Sequence, residues 1–179
     1  MNIVVMTGSP NKNGVTMYLA DKFIDGAEKA GNTVKRFDTA FMDIEFCRGC
    51  NYCRDHETQC VFDDDFAALR QAVEECDLLV WVSPVYYFTV SAQFKRAIDR
   101  FHAFGRGLRN RPAKTMLIAA CADARPQAAD TIKDYFRKFT DYIHWENTGE
   151  LVALGAGDMA ALLSTDYPAK AAEAGGALK

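Results

Sequence analysis

The stretch Ile3-Val4-Val5-Met6-Thr7-Gly8-Ser9-Pro10-Asn11-Lys12-Asn13-Gly14-Val15-Thr16 runs from four apolar residues into a loop of Gly, Asn and hydroxyl side chains. Met17-Tyr18-Leu19-Ala20-Asp21-Lys22-Phe23-Ile24 follows, with Leu19, Phe23 and Ile24 at helical spacing. The order reads as a buried parallel strand, a loop and a helix N-terminus. Gly and Asn let the backbone turn its N–H groups inward. The first turn of the helix adds unpaired N–H groups and a partial positive charge. Together they make a seat for a phosphate. No Gly-Lys-Ser/Thr follows the first Gly and no G-x-G-x-x-G is present, so the reading is a mononucleotide phosphate loop. The plain alternative is a strand-to-helix connection in which Asn and Thr act only as caps.

Outward from that loop, the chain keeps alternating strand and helix. A helix is expected over Thr16 to Glu28, with Gly31-Asn32 as its stop, and a more polar edge strand over Thr33–Asp38. A segment holding a Cys cluster follows. One of Asp63, Asp64 and Asp65 then caps a helix from Phe66 to Cys76, with Phe66, Leu69 and Val73 on its inner face. Asp77–Val82 reads as a buried central strand, Ser83–Ser91 as a long loop and Ala92–Phe104 as a helix. Lys114–Ala120 is the next strand and Cys121–Arg125 its loop. Pro126 opens a helix to about Tyr142. His144–Leu154 is the last strand and Gly157–Ser164 a short helix. The Ala- and Gly-rich tail from Thr165 reads as weakly specified, with an end that frays. The order predicts one three-layer α/β domain over residues 1–179 with a parallel sheet and a Cys-rich insertion at about 45–62. In such sheets ligands lie beyond the carboxyl ends of the strands, where strand order reverses. The loops Gly8–Thr16, Ser83–Ser91 and Ala120–Arg125 reach that edge.

Composition narrows the function classes. The chain has 179 residues, about half of them apolar, which suits one domain with a sizeable core. A net charge of −3 carries no footprint for nucleic acid or an anionic membrane surface. No apolar run is long enough to span a bilayer, and the chain begins in a strand with no signal-like lead. The expectation is a cytoplasmic protein. Of six Cys, four fall between Cys47 and Cys60. In a reducing compartment such crowding points to metal or redox chemistry.

Pro84-Val85-Tyr86-Tyr87-Phe88 is an unusual loop to offer to water. Aromatics and backbone amides hold a planar ring by its face and edges. The alternatives are core cover or a subunit contact. A phosphate loop and a planar-ring loop on one sheet edge together point to FMN. Cys47-x2-Cys50-x2-Cys53, with Gly49 as a turn and Cys60 returning, has the overlapping spacing of cubane iron–sulfur sites. Zn more often takes separated C-x2-C pairs. A [4Fe–4S] cluster, free thiols or a disulfide, and Zn stay open. Cys76 and Cys121 read as core residues, although Cys121 also sits on the third loop of the edge. His56 reads as a solvated loop residue, His102 and His144 as structural, and Trp81 as core. Arg106, Arg109 and Arg111 read as a basic surface.

The chain resembles the flavodoxin-like NAD(P)H-dependent FMN reductases, and among them the iron–sulfur flavoproteins. The matching residues are Gly8-Ser9-Pro10…Gly14…Thr16, the four spaced Cys, Asp63-Asp64, Ser83-Pro84-Val85-Tyr86 and Ser91-Ala92-Gln93-Phe94-Lys95…Asp99-Arg100. They span most of residues 2–120. The resemblance implies a five-stranded doubly wound sheet, a noncovalent FMN, hydride transfer with a nicotinamide, and a homodimer or tetramer. It implies Ser9, Asn13, Gly14, Val15 and Thr16 around the phosphate and Pro84, Val85, Tyr86, Tyr87 and Phe88 along the isoalloxazine, with Ala120 and Cys121 at the third loop. The family often has Arg where Asn11 stands and a small polar residue where Val15 stands. Both differences remove a phosphate contact. Cys47, Cys50, Cys53 and Cys60 are the implied cluster ligands.

The functional expectation is an NAD(P)H oxidoreductase in which FMN does the chemistry and no side chain is catalytic. Its acceptor is a quinone, a flavin or a redox protein. The alternatives are a flavodoxin-like electron carrier without nicotinamide activity and a Cys-based metal or redox sensor.

Overall fold

Strand side chains alternate between the two faces of a sheet, and a strand apolar on both must be covered on both. The central strand β3 (Leu78–Pro84) meets that condition: Leu79 and Trp81 pack on one side, Leu78, Val80 and Val82 on the other. The structure is a computed structural model that describes residues 1–178. Around β3 lie β1 (Asn2–Thr7), β2 (Thr33–Asp38), β4 (Lys114–Ala120) and β5 (Glu146–Ala153), all parallel, in the order β2-β1-β3-β4-β5. Val5 stands beside Val80, and Val80 beside Met116. The polar strand over Thr33–Asp38 is an edge strand, as its sequence implied.

Helices α1 (Val15–Lys29) and α8 (Tyr167–Gly176) cover one face. The short helices α2 (Tyr52–Asp55), α5 (Gly105–Leu108) and α7 (Met159–Leu163) lie between the longer elements. Helices α3 (Phe66–Glu75), α4 (Ala92–Arg100) and α6 (Asp130–Ile143) cover the other face, packing around Trp81. The Trp81 ring lies 5.0 Å from Phe94, 5.5 Å from Phe136 and 4.6 Å from Phe139. Burying aromatics of this size contributes on the order of 2–3 kcal/mol each.

Three departures from the sequence reading have local causes. The expected helix over 92–104 ends at Arg100 and tightens into a 3-10 turn, Phe101–Ala103. There Phe101 and Phe104 turn inward onto Phe66, 6.2 and 5.9 Å away. The last strand begins at Glu146, because His144 is left-handed at φ 59° and closes α6. The tail from Thr165 is ordered as α8 and packs along α1. A Cβ on Gly26 would run into the Ala172 carbonyl, and one on Gly175 into the Phe23 carbonyl. The composition that looked weak is what lets two helix backbones touch.

Candidate functional site

Strand order reverses between β1 and β3, so the crevice forms where their following loops part. After β1, the loop folds on itself. The Ser9 hydroxyl donates to the Asn11 carbonyl at 3.1 Å and accepts from the Asn11 N–H at 3.2 Å. Asn11 Oδ1 accepts from the Asn13 N–H, and the Asn11 carbonyl also accepts from the Gly14 N–H. Ser9 and Asn11 therefore shape the loop with the groups expected to reach a ligand. Gly14 caps α1 with extended backbone and no side-chain cap bond. The first-turn N–H groups of Val15, Thr16 and Met17 point out of the helix end, beside the 3%-exposed Thr16 and the exposed Asn13.

The second loop is tied to the first. Ser91 Oγ donates to the Gly8 carbonyl at 2.6 Å and accepts from the Phe94 N–H, capping α4. Ser83 Oγ accepts from the Ser91 N–H at 3.0 Å. A Cβ on Gly8 would stand 2.5 Å from Phe94 Cβ, so only Gly allows this approach. Sequence reasoning gave Ser91 no role, although a Ser immediately before a helix is a cap signal. Strand β3 continues through Ser83 and Pro84, which shortens the loop. Val85 N–H donates to the Ala120 carbonyl, and Tyr86 and Thr89 exchange bonds of 2.9 and 3.2 Å. Between them Tyr87 and Phe88 are both left-handed, at φ 45° and 70°. That is the geometry of a two-residue hairpin turn that prefers Asn-Gly. Holding two aromatics there costs about 1–3 kcal/mol each. Tyr87 is 97% exposed, and Tyr86 and Phe88 are also exposed.

The third loop follows β4. Ala120 and Cys121 are buried at its start, and Cys121 bonds through its N–H and carbonyl to Ala153 and Ala156. Asp123 holds Arg125 at 2.6 Å at the rim.

The Cys segment forms a separate recess. Cys47, Cys50, Cys53 and Cys60 line it together with Arg100 and His102, and Gly49 supplies the expected turn at φ 63°. All six thiols are free. Burial, and then the neighbouring thiols of Cys60, Cys50 and Cys47, push the Cys53 thiol up. Among the described residues no three His, Cys, Asp or Glu side chains converge on a point that would hold one metal ion. The recess is narrow, about 20 Å³. Arg100, 2% exposed, pairs with Asp64 at 2.8 and 3.1 Å and donates to the Glu45 carbonyl. Its Nε is buried with no partner. Burial opposes ionisation of Asp64, yet hydrogen bonds from Arg100 and the Glu45 N–H hold its carboxyl below the ordinary value. Asp64 also accepts from the Phe66 N–H, so it is the carboxylate that serves the start of α3. No short-range pattern marks an Asp and an Arg so far apart in sequence as partners.

The remaining sites are distributed. His56 is exposed and stacks on Tyr52 at 3.6 Å. His102 is exposed, where a structural role was expected. Arg111 does not join Arg106 and Arg109: it donates to the Val73 and Cys76 carbonyls and lies over Trp145. Cys76 is buried, and burial pushes its thiol up to about 11 against the opposing pull of Arg111. A cavity of about 590 Å³ lies away from the three loops, at the far end of α4.

Residues 1–154 match the sequence family described as NADPH-dependent FMN reductase. A protein of Archaeoglobus fulgidus named iron-sulfur flavoprotein is 36% identical over 105 residues, 59% of this chain and 47% of that one. One of the same name from Methanocaldococcus jannaschii is 30% identical over 122 residues, 67% of this chain and 63% of that one. The chain thus spans about half to two thirds of the length of these relatives. Among solved structures, an NAD(P)H:quinone oxidoreductase from Methanothermobacter marburgensis superposes with a TM-score of 0.74 at 17% identity, covering 98% of this chain and 96% of that one. An FMN-dependent NADH-azoreductase from Bacillus anthracis, in complex with FMN, gives 0.70 at 12% identity over 97% and 98%. At such identities the likeness establishes the flavodoxin-like fold.

Proposed function

Because this chain belongs to the NADPH-dependent FMN reductase family, we propose that it binds FMN at the β1/β3 edge and passes electrons from NAD(P)H to a quinone, flavin or redox-protein acceptor. The observation that carries the reading is the start of α1, which has a glycine cap, no side-chain cap and outward N–H groups in its first turn. The N–H groups of Val15, Thr16 and Met17, the Thr16 hydroxyl and Asn13 hold the phosphate. Ser9, Asn11 and Gly14 keep the loop in the shape that presents them. The Val85–Phe88 turn meets the ring, and the strain at Tyr87 and Phe88 is retained because it aims aromatics outward. Pro84, Ala120 and Cys121 close the edge of the ring site. Bound FMN supplies the hydride chemistry.

The donor set of the Cys recess fits a [4Fe–4S] cluster on Cys47, Cys50, Cys53 and Cys60, which would supply one-electron steps. Four thiols crowd one recess beside the orphaned Nε of buried Arg100, a cation suited to thiolate charge. We extend the proposal to a cytoplasmic homodimer or dimer of dimers. Among the described residues no helix is long and apolar enough to cross a membrane.

Anaerobic titration tests the reading. FMN added to the purified chain binds, and NADH or NADPH bleaches it. Flavin that binds but stays oxidised with both leaves an electron carrier. Failure to bind FMN removes the proposal. Iron and sulfide assays of anaerobically purified protein test the cluster.

A further inference from the structure

The cavity of about 590 Å³ at the far end of α4 lies within the size range of small-molecule sites. Ser91 caps helix α4 beside the β1 loop, and the first residue of the helix to line the cavity is Ile98, about 10 Å further along. No residue of the three edge loops lines it.

Its floor is apolar, with aliphatic and aromatic side chains. Ile98, Phe101 and Leu108 are buried, as is Ile143, while Phe139 is half-buried and packs on the same core. The exposed ring of Tyr142 stands at the mouth. Three guanidiniums, Arg54, Arg106 and Arg109, surround this floor. The carboxylates there are Glu57 and Asp99, and Asp99 is already paired with Lys95 at 2.5 Å. Arg109 lies over the Tyr142 ring at 4.9 Å, which holds its planar face at the opening. A second recess beyond Arg106 and Arg109, lined by Asn110 and His144, continues the basic rim. Cys53 and His102 line both the cavity and the four-thiol recess.

An apolar slot with a cationic rim recognises one class of ligand: a flat ring system carrying an anionic group. The ring is desolvated on the floor. The anion is met by guanidiniums, whose planar fork suits carboxylate, sulfonate or phosphate oxygens. We propose that this cavity is a second ligand site, for a planar aromatic anion, with Arg106 and Arg109 as its charge-recognising residues and Cys53 as the shared wall to the thiol recess. The site does not depend on FMN.

Anthraquinone-2-sulfonate is the probe, with 2-(hydroxymethyl)anthraquinone as its neutral counterpart. Calorimetric titration of the full chain should show saturable binding of the sulfonate. Replacing both rim residues, Arg106→Gln with Arg109→Gln, should weaken it about tenfold while leaving the neutral ring unchanged. Arg54→Gln, on a different element, should weaken it in the same sense. In the chain freed of iron, the bound sulfonate should slow alkylation of Cys53 by iodoacetamide, read by mass spectrometry. Binding that survives without FMN, or in a chain that proves unable to take FMN, supports this site independently of the flavin reading. The proposal is overturned if the sulfonate fails to bind, including because a second copy of the chain covers the cavity. It is equally overturned if the arginine variants bind as tightly as the parent, if a single equivalent of FMN displaces the probe, or if Cys53 of the iron-free chain is not protected.

Discussion

The β1/β3 edge and the Cys segment are both built to hold something, and they are built oppositely. The edge is made of backbone. Its loops leave buried strands, the hydroxyls of Ser9, Ser83 and Ser91 are spent on internal bonds, and Ser91 fastens one loop to the next at 2.6 Å. The Cys segment is made of side chains on a strip with little regular structure, the four-residue helix α2 apart. Arginines reach it and its flanks: Arg70 to the Thr58 carbonyl and hydroxyl, Arg100 to the Glu45 carbonyl and Asp64, and Arg96 to the Thr39 and Met42 carbonyls just before it. A backbone site is as rigid as its sheet. A side-chain site is as rigid as the ion pairs beneath it, and it keeps freedom to rearrange around a guest.

That contrast breaks most visibly at Arg100. Arg100→Gln leaves Asp64 buried without its partner and should cost about 3–5 kcal/mol, read by urea unfolding. The same pair sets an acid limit. The folded Asp64 carboxyl lies below its unfolded value of about 3.9, so its stabilisation is complete above that pH and is lost as pH falls through the folded value. Asp64→Asn should therefore flatten the fall in stability between pH 5 and pH 2, roughly the span over which such a carboxylate titrates.

At the edge, Gly8→Ala forces a Cβ against Phe94 and Ser91. It should destabilise by about 1–3 kcal/mol and weaken FMN binding by parting the two loops. The pair Tyr87→Asn with Phe88→Gly relieves two left-handed aromatics and should stabilise by about 1 kcal/mol in thermal unfolding. FMN affinity should fall in the same protein, which separates strain kept for a ligand from strain that is incidental. The smallest stability effect belongs to Cys47→Ser. This exposed residue should change unfolding free energy by less than about 0.5 kcal/mol while iron and sulfide content drops. A Cys47 variant that keeps its iron would take this residue out of the proposed ligand set.

The strand–loop–helix start, the central strand and the edge position of Thr33–Asp38 were legible in the sequence, because apolar period and turn residues are local quantities. So was the spacing of the four thiols and the turn at Gly49. The closing of α6 at His144 was less so, since left-handed His carries no sharp signal. Local chemistry also turned Ser9 and Asn11 inward, because in a tight loop the nearest partners of a polar side chain are its own backbone groups. The tertiary structure alone decided two things. It made the Ala- and Gly-rich tail into α8, because Gly26 and Gly175 permit backbone contact only when their helices meet. It paired Asp64 with Arg100, whose separation in sequence leaves no periodic trace. Local pattern determines which elements form, and long-range burial decides which polar groups remain free to act.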